Sequence, residues 1–457
     1  MDPSPQVLSA RFETARLLRP VDLVAPGLVQ VSLDLPGGSS TTPCPQPAPS
    51  AAVEARCDGP ARLAWESGMV ALTGAYDGRT TFLEVTVDGK TRRHRSRRLG
   101  RPAGPVARLA LTLTGTHLTL FTTAGGEDTW TARARVDLAG IVDTRDATWL
   151  AGLHVSHQGS VADLRAGAFG QLGLRDLRLV TWADGTPYLL DDGRPLLTAT
   201  SAGPGFFDTA HTSVWELDTE TITLRHRADL FFRRGGQVYA DHATHLLRDG
   251  EEWLVATSTW GDFDRGRADA SVEVTLARSR VDLLVGRHVL DSDPLPLPTT
   301  GLASVGVWDP HLVRTDEGWL VGYVSARRFF DFHPVLASGP SLDSLTLRAA
   351  ATDRRATEGT TLTRLAPTRT GARPEWAVLA SDGRDNPRGS RAAYPVFDLD
   401  LRQTGELAAP YPSNIPWPTL VPAGEQWLLV GFDGEAYGGS LLGYGTHGSV
   451  VVSRSVE

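Results

Sequence analysis

Short apolar or alternating segments recur along the whole chain and predict β-strands. Residues 81–87, 107–114 and 117–121 follow this pattern, and turn signals such as Asp88-Gly89 separate them. Few stretches, among them residues 9–18, have a pattern that a helix could also show. Many short strands at this spacing favour an all-β fold, either a sandwich or a propeller.

The pattern changes near residue 177, which predicts a domain boundary. Residues 1–177 show no fixed repeat, and their strands predict an N-terminal β-sandwich domain of jelly-roll or lectin-like type. Two roles remain open for this domain: a structural partner of its neighbour, or a carbohydrate-binding module.

An internal repeat follows in residues 178–457. The segments 184–193, 241–250 and 309–318 align without gaps, each with an Asp, a strand, a turn Gly nine residues later and a second apolar strand. Weaker copies begin near residues 358 and 417. Five copies of about four strands each predict a five-bladed β-propeller.

The repeat also predicts where acidic side chains lie. The aligned positions of the first four blades are Asp184, Asp241, Asp309 and Glu358. If each opens the innermost strand of its blade, four carboxyl groups converge on one rim of the channel. Crowded carboxylates raise each other's pKa and are typical of acid–base catalysis or of a cation site. For any single Asp, a turn or capping role is the alternative.

These motifs resemble the five-bladed furanosidase propellers, above all glycoside hydrolase family 43 and its relatives. Trp308-Asp309-Pro310 and Thr357-Glu358-Gly359 carry most of the resemblance, which covers roughly residues 178–457. It implies that Asp184 is the general base, that Asp309 orients the acid and adjusts its pKa, and that Glu358 is the general acid. Gly185 after Asp184 departs from the family pattern, and Asp241 is an additional acid, so the base is either Asp184 or Asp241.

The resemblance implies an inverting glycosidase, in which an acid protonates the leaving oxygen while a base activates water on the opposite face. We expect an exo-acting enzyme on short oligosaccharides, arabinofuranoside- or xyloside-like. A glycoside phosphorylase or lyase on the same propeller, and a non-catalytic glycan-binding protein, remain as alternatives.

Aromatic and polar residues near the aligned acids are candidates for binding substrate, because sugar rings stack on aromatic faces. Packing between blades is the alternative for each aromatic residue. The candidates are Asp241, Trp182, Tyr239, Trp260, Trp308, His311 and Arg327.

No metal ligand set is predicted and no cofactor is expected to be required. Asp241 and His245 lack a diagnostic metal-binding spacing. The resemblance allows one structural Ca²⁺ in the propeller channel near His447.

Composition restricts the partners and the compartment. A net charge of −8 argues against nucleic acid or an anionic membrane as a partner. No apolar run approaches the length of a membrane span, and residues 1–18 lack a signal-peptide pattern. The two cysteines, Cys44 and Cys57, form no framework, so we expect free thiols in a cytoplasmic protein. The oligomeric state is left open.

Overall fold

A computed structural model describes residues 5–19, 31–37, 41–125, 130–264, 266–267, 269–366, 375–413, 415–435 and 448–456. The fold is all-β, and the one α-helix among the described residues, α1 (Ala147–Ala151), has five residues. No helix in the described part of the chain combines the length and the apolarity that crossing a membrane requires.

The first large sheet contains ten strands. They are β2 (Val31–Gly37), β3 (Thr41–Pro43), β4 (Ser50–Ser67), β5 (Val70–Tyr76), β6 (Thr81–Val87), β7 (Lys90–His94), β8 (Val106–Thr114), β9 (His117–Ala124), β10 (Thr131–Asp137) and β11 (His154–Ala168). The long strand β4 pairs with β11 along one edge, and with β8 and then β5 along the other.

One half of this sheet, which includes β5, packs against the other half, which includes β8 and β9. Gly74 on β5 lies so close to Leu120 and Leu111 that a Cβ would come within 2.6 Å and 3.0 Å of their side chains. Buried residues of both halves, such as Leu63 and Leu109, therefore share one core. The predicted jelly-roll or lectin-like character of this part stays a prediction.

Over the described residues, the remaining strands form three antiparallel four-stranded sheets and one ten-stranded sheet. The ten-stranded sheet contains two antiparallel four-stranded runs whose outermost strands pair in parallel, and we describe each run as a unit of its own, units I and II. Unit I is β12 (Leu174–Leu179), β14 (Leu196–Ser201), β15 (His211–Asp218) and β16 (Thr223–Arg234), with the short β17 (Gln237–Tyr239) paired to β16. The short β13 (Thr181–Trp182) pairs in parallel with the first strand of unit II. Unit II is β18 (His242–Asp249), β19 (Glu252–Ser258), β20 (Val274–Ser279) and β21 (Gly286–Pro294). Unit III is β22 (Gly306–Thr315), β23 (Gly318–Arg328), β24 (Asp331–Gly339) and β25 (Thr346–Ala350). Unit IV is β26 (Thr357–Leu365), β27 (Glu375–Asp382), β28 (Pro395–Phe397) and β29 (Gln403–Glu406), and unit V is β30 (Thr419–Ala423), β31 (Gln426–Asp433), β32 (Ser449–Val456) and β1 (Arg11–Leu18).

The first strands of the units, β12, β18, β22, β26 and β30, surround a common centre in a propeller arrangement. The Leu312 amide on β22 donates to Nδ1 of His245 on β18 at 3.1 Å. The hydroxyl of Thr419 on β30 donates to the carbonyl of Leu177 on β12 at 2.7 Å. We call the end of the channel at which these first strands begin the entry end.

The predicted boundary at residue 177 is wrong in two respects. It falls inside β12, which is the innermost strand of unit I rather than the end of the N-terminal sheet. Residues 11–18 are also not part of that sheet, and they are not helical, because β1 pairs antiparallel with β32 and completes unit V. β1 and β32 lie far apart in the chain, so a pattern within one segment could not reveal their pairing.

The N-terminal sheet rests on the outer strands of units I and II. Arg287 on β21 donates to the Gln46 side chain and to the Ser50 carbonyl, both at 2.9 Å. Arg145, after β10, donates to the carbonyl of Gly261 at 2.6 Å. The N-terminal part thus braces the connection after β19.

Candidate active site

The innermost strands of units I to IV share one irregularity close to their start. Pairing with the next strand shifts at Arg175/Arg178, His242/His245, Trp308/His311 and Glu358/Thr361. The second residue of each bulge has a positive φ: 53° at Asp176, 59° at Ala243, 59° at Asp309 and 73° at Gly359. A bulge turns side chains out of the alternation of a strand. Here it directs two neighbouring side chains from each of units I to III, and Glu358 from unit IV, to the entry end.

These bulges line a cavity of about 330 Å³. Of the bulge residues, Arg175 and Asp176 come from unit I, His242 and Ala243 from unit II, Trp308 and Asp309 from unit III, and Glu358 from unit IV. The other lining residues are Phe206, Phe207, Trp260, Phe263, Phe329, Phe330, Phe332, Ala356, Asp385, Ile415 and Trp417. The cavity therefore joins three buried or half-buried carboxyl groups with a largely aromatic surface.

Glu358 has the strongest features of a proton donor. Burial, with the nearby Asp176 charge as the second cause, raises the pKa of the half-buried Glu358 carboxyl to about 8. The indoles of Trp308 and Trp417 lower the pKa of Glu358. A carboxyl group with this pKa carries its proton at neutral pH, as general acid catalysis requires.

Asp309 also lines the cavity, and it is more deeply buried than Glu358. Its side chain is buried, and its Oδ2 has no hydrogen-bond partner among the described residues. Burial, and then the charges of Glu358 and Asp176, raise the pKa of Asp309 well above its ordinary value. Asp309 and Glu358 therefore share a site that does not favour two ionised carboxyl groups.

Asp176 is the carboxyl group on the unit I wall of the cavity. It is half-buried, and burial raises its pKa, whereas Arg175, the Thr200 hydroxyl and Arg178 oppose the increase. A raised pKa makes the ionised carboxylate a stronger base, and the neighbouring cations favour its ionised form.

A buried layer closes the cavity toward the channel. It consists of the last bulge residues, Arg178, His245, His311 and Thr361. The imidazoles of His245 and His311 stack with centroids 4.0 Å apart, and burial lowers the pKa of both well below the ordinary value. Arg178 donates to the Thr361 hydroxyl at 3.0 Å, so the layer joins neighbouring units.

The structure brings four of the ten predicted site residues to this cavity: Trp260, Trp308, Asp309 and Glu358. Asp184 is not among them. It is exposed in the connection between β12 and β14, where it accepts from Thr186 and pairs with Arg364 at 3.2 Å. It follows the end of β12 and lines a different depression, and the predicted convergence of Asp184 with the other acids is therefore wrong. Trp182 lies at the same end of the inner strands, opposite the entry end and here called the far end, and is 42% exposed.

Two further candidates, Asp241 and Tyr239, lie beside the cavity without lining it. Asp241 is fully buried, accepts from Arg234 at 3.0 Å and from the Gly261 amide at 3.0 Å. The Arg234 guanidinium lies 3.7 Å from the centre of the Tyr239 ring. Their contacts brace the connection after β19, which carries Trp260.

The last two candidates are placed elsewhere. His311 lies in the buried layer and does not line the cavity, and Arg327 pairs with Asp331 at 2.7 Å and donates to the carbonyl of Thr352. His447, the residue near which Ca²⁺ was expected, lies outside the described residues. Among the residues that are described, no group of three or more His, Cys, Asp or Glu could hold a metal ion.

The gap-free alignment of residues 241–250 with residues 309–318 does not match equivalent positions, because the glycines of the two hairpins are not equivalent. Gly250 lies in the loop between paired Asp249 and Glu252, whereas Gly318 is itself a paired strand residue. Aligning the two glycines displaces unit II by two positions, so that Ala243, and not Asp241, corresponds to Asp309.

Sequence reasoning missed Asp176, because residues 184–193 imitate a blade. Those residues form a connection with isolated bridges, and the true first strand precedes them. One signal was present: Asp176-Leu177-Arg178 has the same spacing of acid and basic side chain as Asp309-Pro310-His311.

Comparison with known proteins identifies structural neighbours only. No protein-family model matches the chain, and no curated protein matches it significantly. Similar solved structures include a GH43_1 enzyme from Xanthomonas citri complexed with xylose, at 13% identity and a TM-score of 0.39, covering 62% of this chain and 87% of that one. Another is the GH32 β-fructofuranosidase BmSUC1 of Bombyx mori, at 12% identity and a TM-score of 0.41, covering 62% of this chain and 60% of that one.

A third neighbour is a GH130 structure described with glycoside hydrolases that target β-1,2 mannosidic linkages in Candida mannan, at 11% identity and a TM-score of 0.38, covering 62% and 84%. The neighbours thus include the family that the motifs resemble. With TM-scores below 0.5, the cavity itself has to indicate the function.

Proposed function

We propose that the protein is a glycoside hydrolase that cleaves its substrate with inversion at the anomeric carbon. Units I to V are the blades of a five-bladed propeller, and the N-terminal sheet is a β-sandwich that supports it. One observation carries the proposal: Glu358, a carboxyl group with a pKa of about 8, lines the same small cavity as the half-buried carboxyl group of Asp176.

Glu358 acts as the general acid. It donates its proton to the glycosidic oxygen while the bond from that oxygen to the anomeric carbon breaks. Asp176 acts as the general base and removes a proton from the water that attacks the opposite face of the sugar. The water oxygen becomes the new anomeric hydroxyl, and exchange of protons with solvent restores Glu358 and Asp176.

The base is assigned to Asp176 rather than to Asp184 or Asp241. Asp176 holds the bulge position of Asp309, lines the cavity and acts electrostatically on Glu358. Asp184 lies at the far end of the inner strands, and Asp241 is already bound by Arg234. In this assignment Asp309 and Arg178 are positioning residues, because they act through Glu358 and Asp176.

The cavity size supports a small substrate. About 330 Å³ lies at the lower end of ligand pockets, which favours an exo-acting enzyme that removes one sugar. Arabinofuranosides and xylosides are the first sugars to test. A cytoplasmic location stays a prediction.

A phosphorylase is the second candidate, because the buried Arg175 lines the cavity and could hold a phosphate in place of the attacking water.

The test is a screen of aryl glycosides with and without inorganic phosphate, in which NMR follows the first anomer released. Release of the inverted free sugar without phosphate supports the hydrolase. A sugar phosphate formed only with phosphate supports the phosphorylase. Retention at the anomeric carbon contradicts the proposed mechanism, and binding of glycans without turnover supports a glycan-binding protein.

A further inference from the structure

Six aromatic side chains form a continuous surface on one side of the cavity, here called the aromatic wall. They are Phe207, Trp260, Phe263, Trp308, Phe329 and Phe332. Ring centroids are 4.6 Å apart for Phe207 and Trp260, 5.3 Å for Trp260 and Trp308, and 4.6 Å for Phe263 and Phe329. The wall spans units I to III, so it is a property of the assembled entry end.

Polar side chains are few and lie mainly among the bulge residues. Apart from the tryptophan indoles, the polar lining groups are Arg175, Asp176, His242, Asp309, Glu358 and Asp385. His242 is the polar group nearest the wall, and its ring nitrogens already lie 3.0 Å from the Phe207 carbonyl and 3.3 Å from the Thr200 hydroxyl. The wall therefore has little to offer to the hydroxyl groups of a second sugar, and an unpaired hydroxyl is costly to bury.

Trp308 connects the wall with the proton donor. Its indole lowers the pKa of the Glu358 carboxyl. Its ring centroid lies 5.7 Å from that of Phe332, and the ring stacks on Phe329 with centroids 6.3 Å apart. In the proposed function Glu358 protonates the leaving oxygen, so the group attached to that oxygen lies next to the wall.

We infer that the leaving group is an apolar aglycone, such as an alkylated phenol, rather than a further sugar. This inference rests on the proposed function. One sugar occupies the polar side near Asp176 and Arg175, and the aglycone occupies the aromatic wall. Phe330 lies at the mouth of the cavity and is 62% exposed, which adds an apolar surface along the path of an aglycone.

Binding of the aglycone alone tests the wall without hydrolysis. Calorimetry compares phenol with 4-butylphenol on the full-length protein. A buried methylene contributes about 4-fold in affinity, so 4-butylphenol is expected to bind roughly 10-fold tighter or more. Phe329→Ala should remove most of this difference, whereas Trp182→Ala, an exposed aromatic at the far end, should keep it. If the alanine variant does not fold, Phe329→Leu replaces it, with a smaller expected loss.

Kinetics separates the aglycone inference from the hydrolase itself. Phenyl and 4-butylphenyl glycosides of one sugar have leaving groups of similar acidity, and kcat/KM should be roughly 10-fold higher for the butyl compound. Equal kcat/KM values would overturn the inference while the hydrolase stands. Xylo-oligosaccharides that compete better than 4-butylphenol would also overturn it, since the wall would then stack sugars. Binding of 4-butylphenol without cleavage of any glycoside supports the apolar site and contradicts the proposed function.

Discussion

The guanidinium of Arg178 on β12 donates a 3.0 Å hydrogen bond to the main-chain carbonyl of Asp309 on β22. The same side chain donates to the Thr360 carbonyl on β26 at 3.2 Å, so it ties the bulges of three units together. Arg178 is buried, and burial lowers its pKa to about 10, which still leaves it charged at neutral pH. A cation is thus fixed behind the carboxyl groups of the cavity.

Replacing Arg178 by Met should change the acid side of the pH profile. Arg178 lowers the pKa of Asp176 and of Asp309, so the pKa of the base rises when this charge is lost. We expect the acidic limb of kcat/KM to move to higher pH. Arg178→Lys, which keeps a charge, is the matched control and should move the limb less. Equal shifts in both variants would contradict the electrostatic role.

Asp176→Asn and Asp184→Asn form a matched pair that tests the base. Loss of a general base reduces turnover by about 10² to 10⁴-fold, and we expect this loss for Asp176→Asn. Asp184 is exposed and lies at the far end, so Asp184→Asn should keep kcat and KM. The measurement is kcat/KM on the best aryl glycoside of the screen. An inactive Asp184→Asn that folds would return the base to Asp184.

Activity should fall above pH 8 because Glu358 then loses its proton. Its pKa is raised to about 8, and kcat/KM reports the ionisation of the free enzyme. In Glu358→Gln the alkaline limb should disappear together with most turnover of poor leaving groups, while activated aryl glycosides are affected less. An alkaline limb that persists unchanged in Glu358→Gln assigns it to another group.

Stability provides a second measure of the same carboxyl group. An unfolded Glu ionises near pH 4.3, whereas folded Glu358 keeps its proton up to about pH 8. The stability contributed by protonated Glu358 is complete below pH 4.3, falls progressively as the pH rises above this value, and is lost once the pH exceeds about 8. Glu358→Gln does not titrate, so the difference in melting temperature between the variant and the wild type should shift in favour of the variant as the pH rises from 5 to 8. A constant difference across this range would mean that the pKa is not raised.

The sequence predicted much of the propeller, because a hairpin is formed by residues that are close in the chain. Turn glycines and apolar strands identify units II to IV, and Trp308-Asp309-Pro310 and Glu358-Gly359 lie at the bulges. These motifs are short, and each lies within one strand, so a single chain segment is enough to recognise them.

The remaining site depends on register and on contacts between units. The turn glycines of units II and III differ in position by two residues, so an alignment on them wrongly pairs Asp241 with Asp309. An Asp-Gly turn in the connection after β12 resembles the start of a blade, so the sequence pattern did not identify Asp176. The aromatic wall could not be predicted from any one segment. Phe207, Trp260 and Phe329 lie after strands of different units, and only the closed arrangement brings their rings together.

Pairing of β1 with β32 predicts that Phe12 stabilises the propeller although it lies far in the chain from the other strands of units IV and V. Phe12 is 2% exposed and packs in a core with Leu379, Leu420 and Leu429. Truncating a buried Phe costs about 3–5 kcal/mol, so Phe12→Ala should lower the melting temperature and the urea midpoint. Leu17 on the same strand is 52% exposed, and Leu17→Ala should change stability by only about 0.5 kcal/mol. Similar unfolding curves for the two variants would contradict the pairing, since β1 would then not bury its Phe12 side against the propeller.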